Sequence, residues 1–129
     1  MAKRLRSRRG RTVASLRWRD WLPRRRYEVL GSVDAADEIP DRLPRRGLVV
    51  VQAEDTPTWV AFDCPCDRRH RLLMPLGVGP GHRWRLTDNR YPSLKPSVDS
   101  FDAGRRCHFF LTEGRIQWAG SRPDARSEI

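Results

Sequence analysis

Residues 62–66 read Phe62-Asp63-Cys64-Pro65-Cys66, and residues 107–108 read Cys107-His108. All three cysteines of the chain lie in these two clusters, and with His70 so do two of its three histidines. Pro65 fixes one backbone angle and favours a tight turn, which can aim both flanking thiolates at one point. Structural zinc sites combine Cys and His ligands in a tetrahedron. The two clusters therefore predict one Zn²⁺ ion that clamps two distant turns together.

Five candidate ligands compete for four positions at this ion. We favour Cys64, Cys66, Cys107 and His108, with His70 as the reserve ligand. Adjacent residues of a regular strand point to opposite faces, so Cys107 and His108 can share one ion only across a turn or a bulge. The alternative is a set of buried, inert cysteines with histidines at the surface.

Short apolar stretches on both sides of the clusters are typical of strands, because they are rich in β-branched and aromatic residues and end at Gly, Pro or Asp-Asn. The Gly-containing link at residues 112–114 predicts a hairpin between the last two of them. The fold class that follows is mainly β: a small, zinc-stapled antiparallel sheet of short hairpins over residues 27–120. The predicted strands are residues 27–33, 48–51, 59–62, 71–76, 83–86, 91–98, 108–111 and 115–118.

The net charge of +10 is concentrated at the N-terminus. Residues 1–26 carry eleven basic side chains and one acid, whereas residues 27–129 carry fifteen of each. We therefore expect a partly disordered basic arm over residues 1–26, with a short helix at residues 12–22, ahead of a neutral domain. Residues 121–129 are predicted to form a disordered tail.

The basic arm is a candidate nucleic-acid-binding segment. Arginines contact phosphates without sequence preference, and tryptophans among them can stack on unpaired bases. The alternatives are a solvated tail and a segment that docks an acidic protein. The neutral charge of the domain argues against nucleic acid as the domain's own ligand. The candidate residues of the arm are Arg4, Arg6, Arg8, Arg9, Arg11, Trp18, Arg24, Arg25 and Arg26.

The apolar patterning and the cysteines indicate a cytoplasmic protein. No run of eighteen apolar residues is present, which excludes a transmembrane helix, and no apolar stretch follows the N-terminal basic residues, which excludes a secretory signal. Three cysteines cannot all pair within one chain, so we expect thiols or metal ligands in a reducing compartment.

Catalysis is the less favoured interpretation of this sequence. A catalytic zinc keeps an open coordination position, and no His-Glu-x-x-His or deaminase signature accompanies the cysteines. Ser93 and Ser97 flank Pro96 without a His or Asp partner at a recognisable spacing, so the sequence does not predict a serine nucleophile.

Taken in order, these segments resemble a known family over residues 27 to 120. The family is the small bacterial one catalogued as domain of unknown function six-five-two-seven. Each segment alone is short, and it is their order that makes the resemblance specific. The segments are residues 47–51, 62–66, 71–76, 84–86, 94–98, 107–111 and 114–118.

This resemblance implies metal binding through the Cys-Pro-Cys turn and the later Cys/His element. It carries over to Cys64, Cys66, Cys107 and His108. Many members have a further cysteine just after the turn, where this chain has residues 67–70. His70 is therefore the candidate ligand in place of that cysteine.

Some members of the family are encoded beside ubiquitin-like proteins and their E1-like and E2-like enzymes. The resemblance therefore implies a non-catalytic zinc-binding accessory or adaptor protein, with protein partners in a bacterial ubiquitin-like conjugation or defence system. The alternatives are a nucleic-acid-binding protein that uses the arm, and a zinc-dependent hydrolase or peptidase.

Overall fold

A computed structural model describes residues 16–66, 69–87, 89–102 and 104–120 of the chain. Eight strands form two four-stranded sheets, each with its strands in sequence order. The first sheet contains β1 (Glu28–Val33), β2 (Gly47–Ala53), β3 (Thr56–Asp63) and β4 (Arg71–Pro75). The second sheet contains β5 (Arg85–Thr87), β6 (Ser93–Asp102), β7 (Arg105–Thr112) and β8 (Arg115–Trp118).

The prediction of a mainly β fold built from short hairpins is confirmed, and the structure divides the strands between two sheets. All neighbouring strands pair antiparallel except β1 and β2, which run parallel. A parallel pair needs a long return connection, and residues 34–46 supply it. Only short 3₁₀ helices, Trp18–Trp21 and Ala36–Glu38, occur among the described residues. None of them has the length or the apolar content to cross a membrane.

Strands β1 and β2 of the first sheet are buried on both faces, as the apolar run at residues 48–51 predicts. All four residues of that run are buried. Successive side chains of a strand point to opposite faces. Leu48 accordingly packs into one apolar cluster, whereas Val49 and Val51 pack into a second cluster with Leu30 and Leu43.

The larger core fills the space between the two sheets. Phe62 of β3 is completely buried and lies edge-to-face with Tyr27 (ring centroids 5.9 Å apart) and with Phe109 of β7 (6.5 Å). Phe109 in turn contacts Trp118 of β8 at 5.6 Å. This core also contains Cys64, Cys66 and Cys107, so the predicted ligands belong to the interface between the sheets.

The hairpin of β6 and β7 is longer than the sequence predicted. The predicted strands ended at residue 98 and began at residue 108, whereas the observed pairing continues to Asp102 and Arg105. Gly104, with φ of +80°, lies at the turn. The extension carries charged residues that the apolar pattern did not mark as strand, and two of them pair: Arg106 donates two hydrogen bonds to Asp99 at 2.8 and 2.7 Å.

The last residues of the predicted arm lie against the domain. Asp20 is buried and accepts a hydrogen bond from the backbone of Arg17 at 2.7 Å. The backbone N–H of Tyr27 donates to the carbonyl of Gly114 at 2.7 Å, which ties the end of the segment to the β7–β8 turn. The helix predicted at residues 12–22 is present as the single 3₁₀ turn Trp18–Trp21 within the described part.

The packing of the inter-sheet core predicts that truncating Phe62 destabilises the domain far more than truncating Phe101. Phe62→Ala removes a fully buried ring that contacts both sheets, and we expect a loss of about 3–5 kcal/mol of unfolding free energy in urea denaturation. Phe101→Ala is the matched control, because that ring is 70% exposed and its loss costs roughly 0.5 kcal/mol or less. Similar losses for both variants would contradict this assignment of the core.

Candidate metal centre and serine–histidine pair

The turn between β3 and β4 brings three of the predicted ligands together. The backbone N–H of Cys64 donates to the carbonyl of His70 at 2.8 Å, and that of Arg69 donates to the carbonyl of Cys66 at 3.1 Å. These bonds fold the segment back on itself, as Pro65 predicted, so that Cys64, Cys66 and His70 lie at one end of the hairpin.

A fourth ligand comes from the other sheet. The ligand atoms of Cys64, Cys66, His70 and Cys107 all lie within 4.8 Å of one another. A tetrahedral zinc ion with Zn–S bonds of about 2.3 Å places its ligand atoms about 3.8 Å apart. The three cysteines are buried, and three thiols with one imidazole form a donor set typical of structural zinc sites. These four residues therefore lie close enough to hold a metal ion, and they fit its chemistry.

His70 is held in place from both sides of its ring. Its Nδ1 lies 3.6 Å from the sulfur of Cys66, and its Nε2 lies 3.3 Å from Oγ of Ser100 on β6. Metal-binding histidines are commonly oriented by a hydrogen bond at the second ring nitrogen. Ser100 therefore fixes the ring with Nδ1 turned toward the cysteines.

The burial of the thiols explains why this cluster suits a cation. Burial raises the pKa of Cys64 above its usual range, and the neighbouring Cys66 and Cys107 add to the rise. Burial likewise raises the pKa of Cys107. Three thiolates cannot be buried together without a compensating charge, and a bound divalent cation supplies it by displacing the protons.

His108, the predicted fourth ligand, lies on the opposite face of β7 from Cys107. The strand is regular, and its residues alternate between buried and accessible from Cys107 to Thr112. No turn or bulge separates Cys107 from His108, because both residues keep their register with β6. The structure thus brings His70, the reserve ligand, to the three cysteines and directs His108 away from them.

The side chain of His108 instead meets a serine. Its Nε2 lies 2.9 Å from Oγ of Ser97 on β6. Both residues are partly exposed, so the pair is open to solvent. The indole N–H of Trp84 donates to the carbonyl of Ser97 at 3.1 Å and anchors the serine backbone. The ring of Phe110 stacks beside His108, with centroids 6.1 Å apart.

A carboxylate lies near this pair. Asp99 is opposite His108 in the β6–β7 register. Its pKa is lowered, chiefly by the hydrogen bond from Arg106 and also by the charge of His108. Asp99 is therefore ionised at neutral pH, and both of its carboxylate oxygens accept hydrogen bonds from Arg106.

A groove runs beside Ser97 along the outer face of the second sheet. Its volume is about 670 Å³. Much of its lining is apolar, and Ser97 lies at its edge. Pockets of this size and character bind small ligands or short peptide segments. The apolar residues that line it are Val78, Trp84, Leu94, Pro96 and Phe110.

The serine–histidine pair does not follow from the predicted strands, because they stop at residue 98 and begin again at residue 108, which leaves their register open. With a turn at Gly104, antiparallel pairing places Asp99 opposite His108, which brings Ser97 within a diagonal contact of the histidine. The available signal was Gly104, a turn-forming residue that lies between residues 99–102 and 105–108.

The candidate nucleic-acid residues are spread over several environments. Trp18 is 72% exposed. Arg24 is engaged within the domain, since it donates to the carbonyl of Asp20 at 2.7 Å and lies 3.8 Å from Glu28. Arg25 and Arg26 line a cavity next to the β7–β8 turn. Arg4, Arg6, Arg8, Arg9 and Arg11 lie outside the residues that the structure describes.

The chain matches a known protein family. A family model described as "BubE: Bacterial ubiquitination-like system serine protease (BubE)" matches residues 35–119. That segment contains both the cysteine–histidine cluster and the Ser97–His108 pair. No curated protein and no solved structure matches the chain.

The ligand geometry predicts which variants lose metal. Cys107→Ser and His70→Ala each remove one of four clustered ligand atoms, so we expect less than one metal ion per chain in elemental analysis of the purified variants. His108→Ala is the control, because its ring points away from the cluster and the metal content should stay unchanged. Loss of metal in His108→Ala with retention in His70→Ala would reverse the assignment.

Proposed function

The chain belongs to this family of bacterial ubiquitination-like systems, and we propose that it is a serine peptidase of such a system. Ser97 is the nucleophile and His108 is the general base. The observation that carries the proposal is the 2.9 Å contact between Ser97 Oγ and His108 Nε2. A serine within hydrogen-bonding reach of a histidine is the arrangement that activates an otherwise weak nucleophile. The description of the family as a serine protease supports the same chemistry.

The first half of the reaction transfers an acyl group to the enzyme. Ser97 Oγ attacks the carbonyl carbon of the scissile bond while His108 Nε2 takes the hydroxyl proton. The tetrahedral intermediate then collapses, the bond to the leaving amine breaks, and His108 returns the proton to that amine.

The second half restores the enzyme. Water enters as the amine leaves, His108 removes one of its protons, and the resulting hydroxide attacks the acyl carbon on Ser97. The ester bond breaks, Ser97 Oγ regains its proton from His108, and the carboxylic acid departs. The partly exposed position of the pair supports this step, since water reaches it from the open face of the sheet.

The groove beside Ser97 supports a polypeptide substrate. Two of its lining residues are exposed apolar side chains: Val78 is fully exposed, and Phe110 is 44% exposed. Exposed apolar groups that line a concave surface are typical of binding sites. A substrate chain that lies along this groove brings a peptide-type bond to the serine.

We propose that the metal is a single Zn²⁺ ion with a structural role. Four protein ligands fill a tetrahedron and leave no position for a catalytic water. The ion joins the β3–β4 turn to β7, so it holds in place the strand that carries His108. This arrangement favours a serine mechanism over the zinc-dependent hydrolase that the sequence left open. If Ser97 proves unreactive, that result would instead support the non-catalytic adaptor expected from the sequence.

The proposed nucleophile predicts covalent labelling at one residue. A fluorophosphonate probe phosphonylates an activated serine: Oγ bonds to phosphorus, fluoride leaves, and the base takes the proton. We expect labelling of the wild-type chain at Ser97 by peptide mass spectrometry, and none of Ser97→Ala. For His108→Ala we expect a rate lower by about 10²-fold or more, the usual contribution of a general base.

Thr87→Ala is the matched control for this experiment. It removes an exposed hydroxyl from β5 of the same sheet and should leave the labelling rate unchanged. Labelling of Ser97→Ala at the wild-type rate, or an unreactive wild-type chain, would contradict the peptidase and favour the adaptor.

The structural zinc predicts a coupled loss of stability and reactivity. A chelator should lower the melting temperature by at least about 10 °C, because each 1 kcal/mol lost shifts a domain of this size by roughly 4–8 °C. Labelling at Ser97 should fall with it, and readdition of zinc should restore both. The control is the same chelator saturated with zinc beforehand. A zinc-depleted chain with unchanged melting temperature would contradict the structural role.

A further inference from the structure

We propose that a second cavity, separate from the serine–histidine groove, binds a nucleoside polyphosphate. It lies between the end of the N-terminal segment, the β3–β4 turn and the β7–β8 hairpin, and its volume is about 690 Å³. None of its lining residues lines the groove beside Ser97. Six arginines of the described part of the chain line it: Arg25, Arg26, Arg45, Arg46, Arg69 and Arg115.

The charge of this cavity is strongly positive. Among the described residues that line the cavity, Asp63 is the one carboxylate. That carboxylate is already paired with Arg69 and with Arg71, each at 3.3 Å. Guanidinium groups remain protonated at neutral pH and match the paired oxygens of phosphate with two parallel hydrogen bonds. A cluster of this kind costs electrostatic free energy without an anion, so an anionic ligand is the partner that it fits.

Three of the arginines are available to a ligand. Arg25, Arg45 and Arg115 are exposed, and no carboxylate among the described residues forms an ion pair with them. They come from three separate parts of the chain, and only the fold brings them to one cavity.

Backbone contacts hold the walls of the cavity in position. The carbonyl of Gly114 binds the N–H of Tyr27. Gly114 has a φ of +79°, and a Cβ there would lie 2.8 Å from the Tyr27 carbonyl and 2.9 Å from Arg26 Cβ. The guanidinium of Arg46 donates to the carbonyl of Arg24 at 3.1 Å. The Arg26 guanidinium lies 4.5 Å from the ring centre of Tyr91. These contacts hold Arg26 and Arg46 in position, which lowers the cost of ordering these two side chains when a ligand binds.

The size and the remaining lining decide between a single phosphate and a larger ligand. A volume of about 690 Å³ lies in the range of small-molecule sites. Ile116 and Trp118, both partly exposed, add apolar and aromatic surface to the cavity. A phosphate chain can form ion pairs with the arginines, and a base or a sugar can pack against the apolar part of the lining. The two together match a nucleoside di- or triphosphate.

Calorimetric titration of the full-length chain with ATP tests the proposal, with inorganic tripolyphosphate and adenosine as the comparison ligands. We expect ATP to bind one site per chain, more tightly than tripolyphosphate, and adenosine not to bind. The double variant Arg45→Gln/Arg115→Gln should raise the Kd for ATP by roughly tenfold or more, since each charged hydrogen bond contributes substantially. Labelling of Ser97 should be unchanged in this variant, which separates the cavity from the proposed peptidase site.

Arg42→Gln/Arg90→Gln is the matched control. It removes the same charge from exposed positions outside the cavity and should leave the Kd for ATP within about twofold, the scale of a change in surface charge. If the wild-type chain and the Arg45→Gln/Arg115→Gln variant have the same Kd for ATP, the affinity belongs to the basic N-terminal residues and the proposal is overturned. Equal affinity for ATP and tripolyphosphate would assign the cavity to inorganic polyphosphate. A chain that binds single-stranded DNA or an acidic peptide but does not bind ATP would overturn the proposal as well.

Discussion

The regular alternation of side chains along β7 determines the arrangement of both chemical sites in this protein. Cys107 points into the core between the sheets and joins the cysteine–histidine cluster, and His108 points to the open face and meets Ser97. Because neighbouring residues of a strand face opposite ways, one strand supplies a candidate metal ligand and a candidate base without a bulge. A shift of one residue in the pairing of β7 with β6 would turn Cys107 and His108 to the opposite faces, and both sites would be lost.

The cluster is also part of the packing between the sheets. A domain of this length buries a modest core, and here that core contains Phe62 and Phe109 together with the three cysteines. Cys64 and Cys66 come from the turn that follows β3, and Cys107 comes from the second sheet, so a bound ion crosslinks the two layers. The metal and the aromatic contacts would then act on the same interface, and the position of the candidate base depends on both.

The net charge of this domain does not describe how charge is distributed over its surface. Residues 27–129 carry equal numbers of acids and bases, and this balance suggested a neutral surface. The fold nevertheless gathers Arg45, Arg46, Arg69 and Arg115 at one cavity and adds Arg25 and Arg26 from the N-terminal segment. Among the described residues that line this cavity, Asp63 is the one acid, and it is already paired with Arg69. Composition counts charges, but a ligand responds to their local arrangement.

The sequence alone determined the elements that depend on local chemistry. The apolar stretches predicted all eight strands, Gly114 predicted the last hairpin, and Pro65 predicted the turn that gathers Cys64 and Cys66. Tertiary structure decided what depends on long-range register: the division into two sheets, the parallel pairing of β1 with β2, the choice of His70 beside the thiols, and the meeting of Ser97 with His108. The physical reason is that a strand fixes which residues share a face, whereas only its pairing with another strand fixes which side chains from distant parts of the chain come into contact.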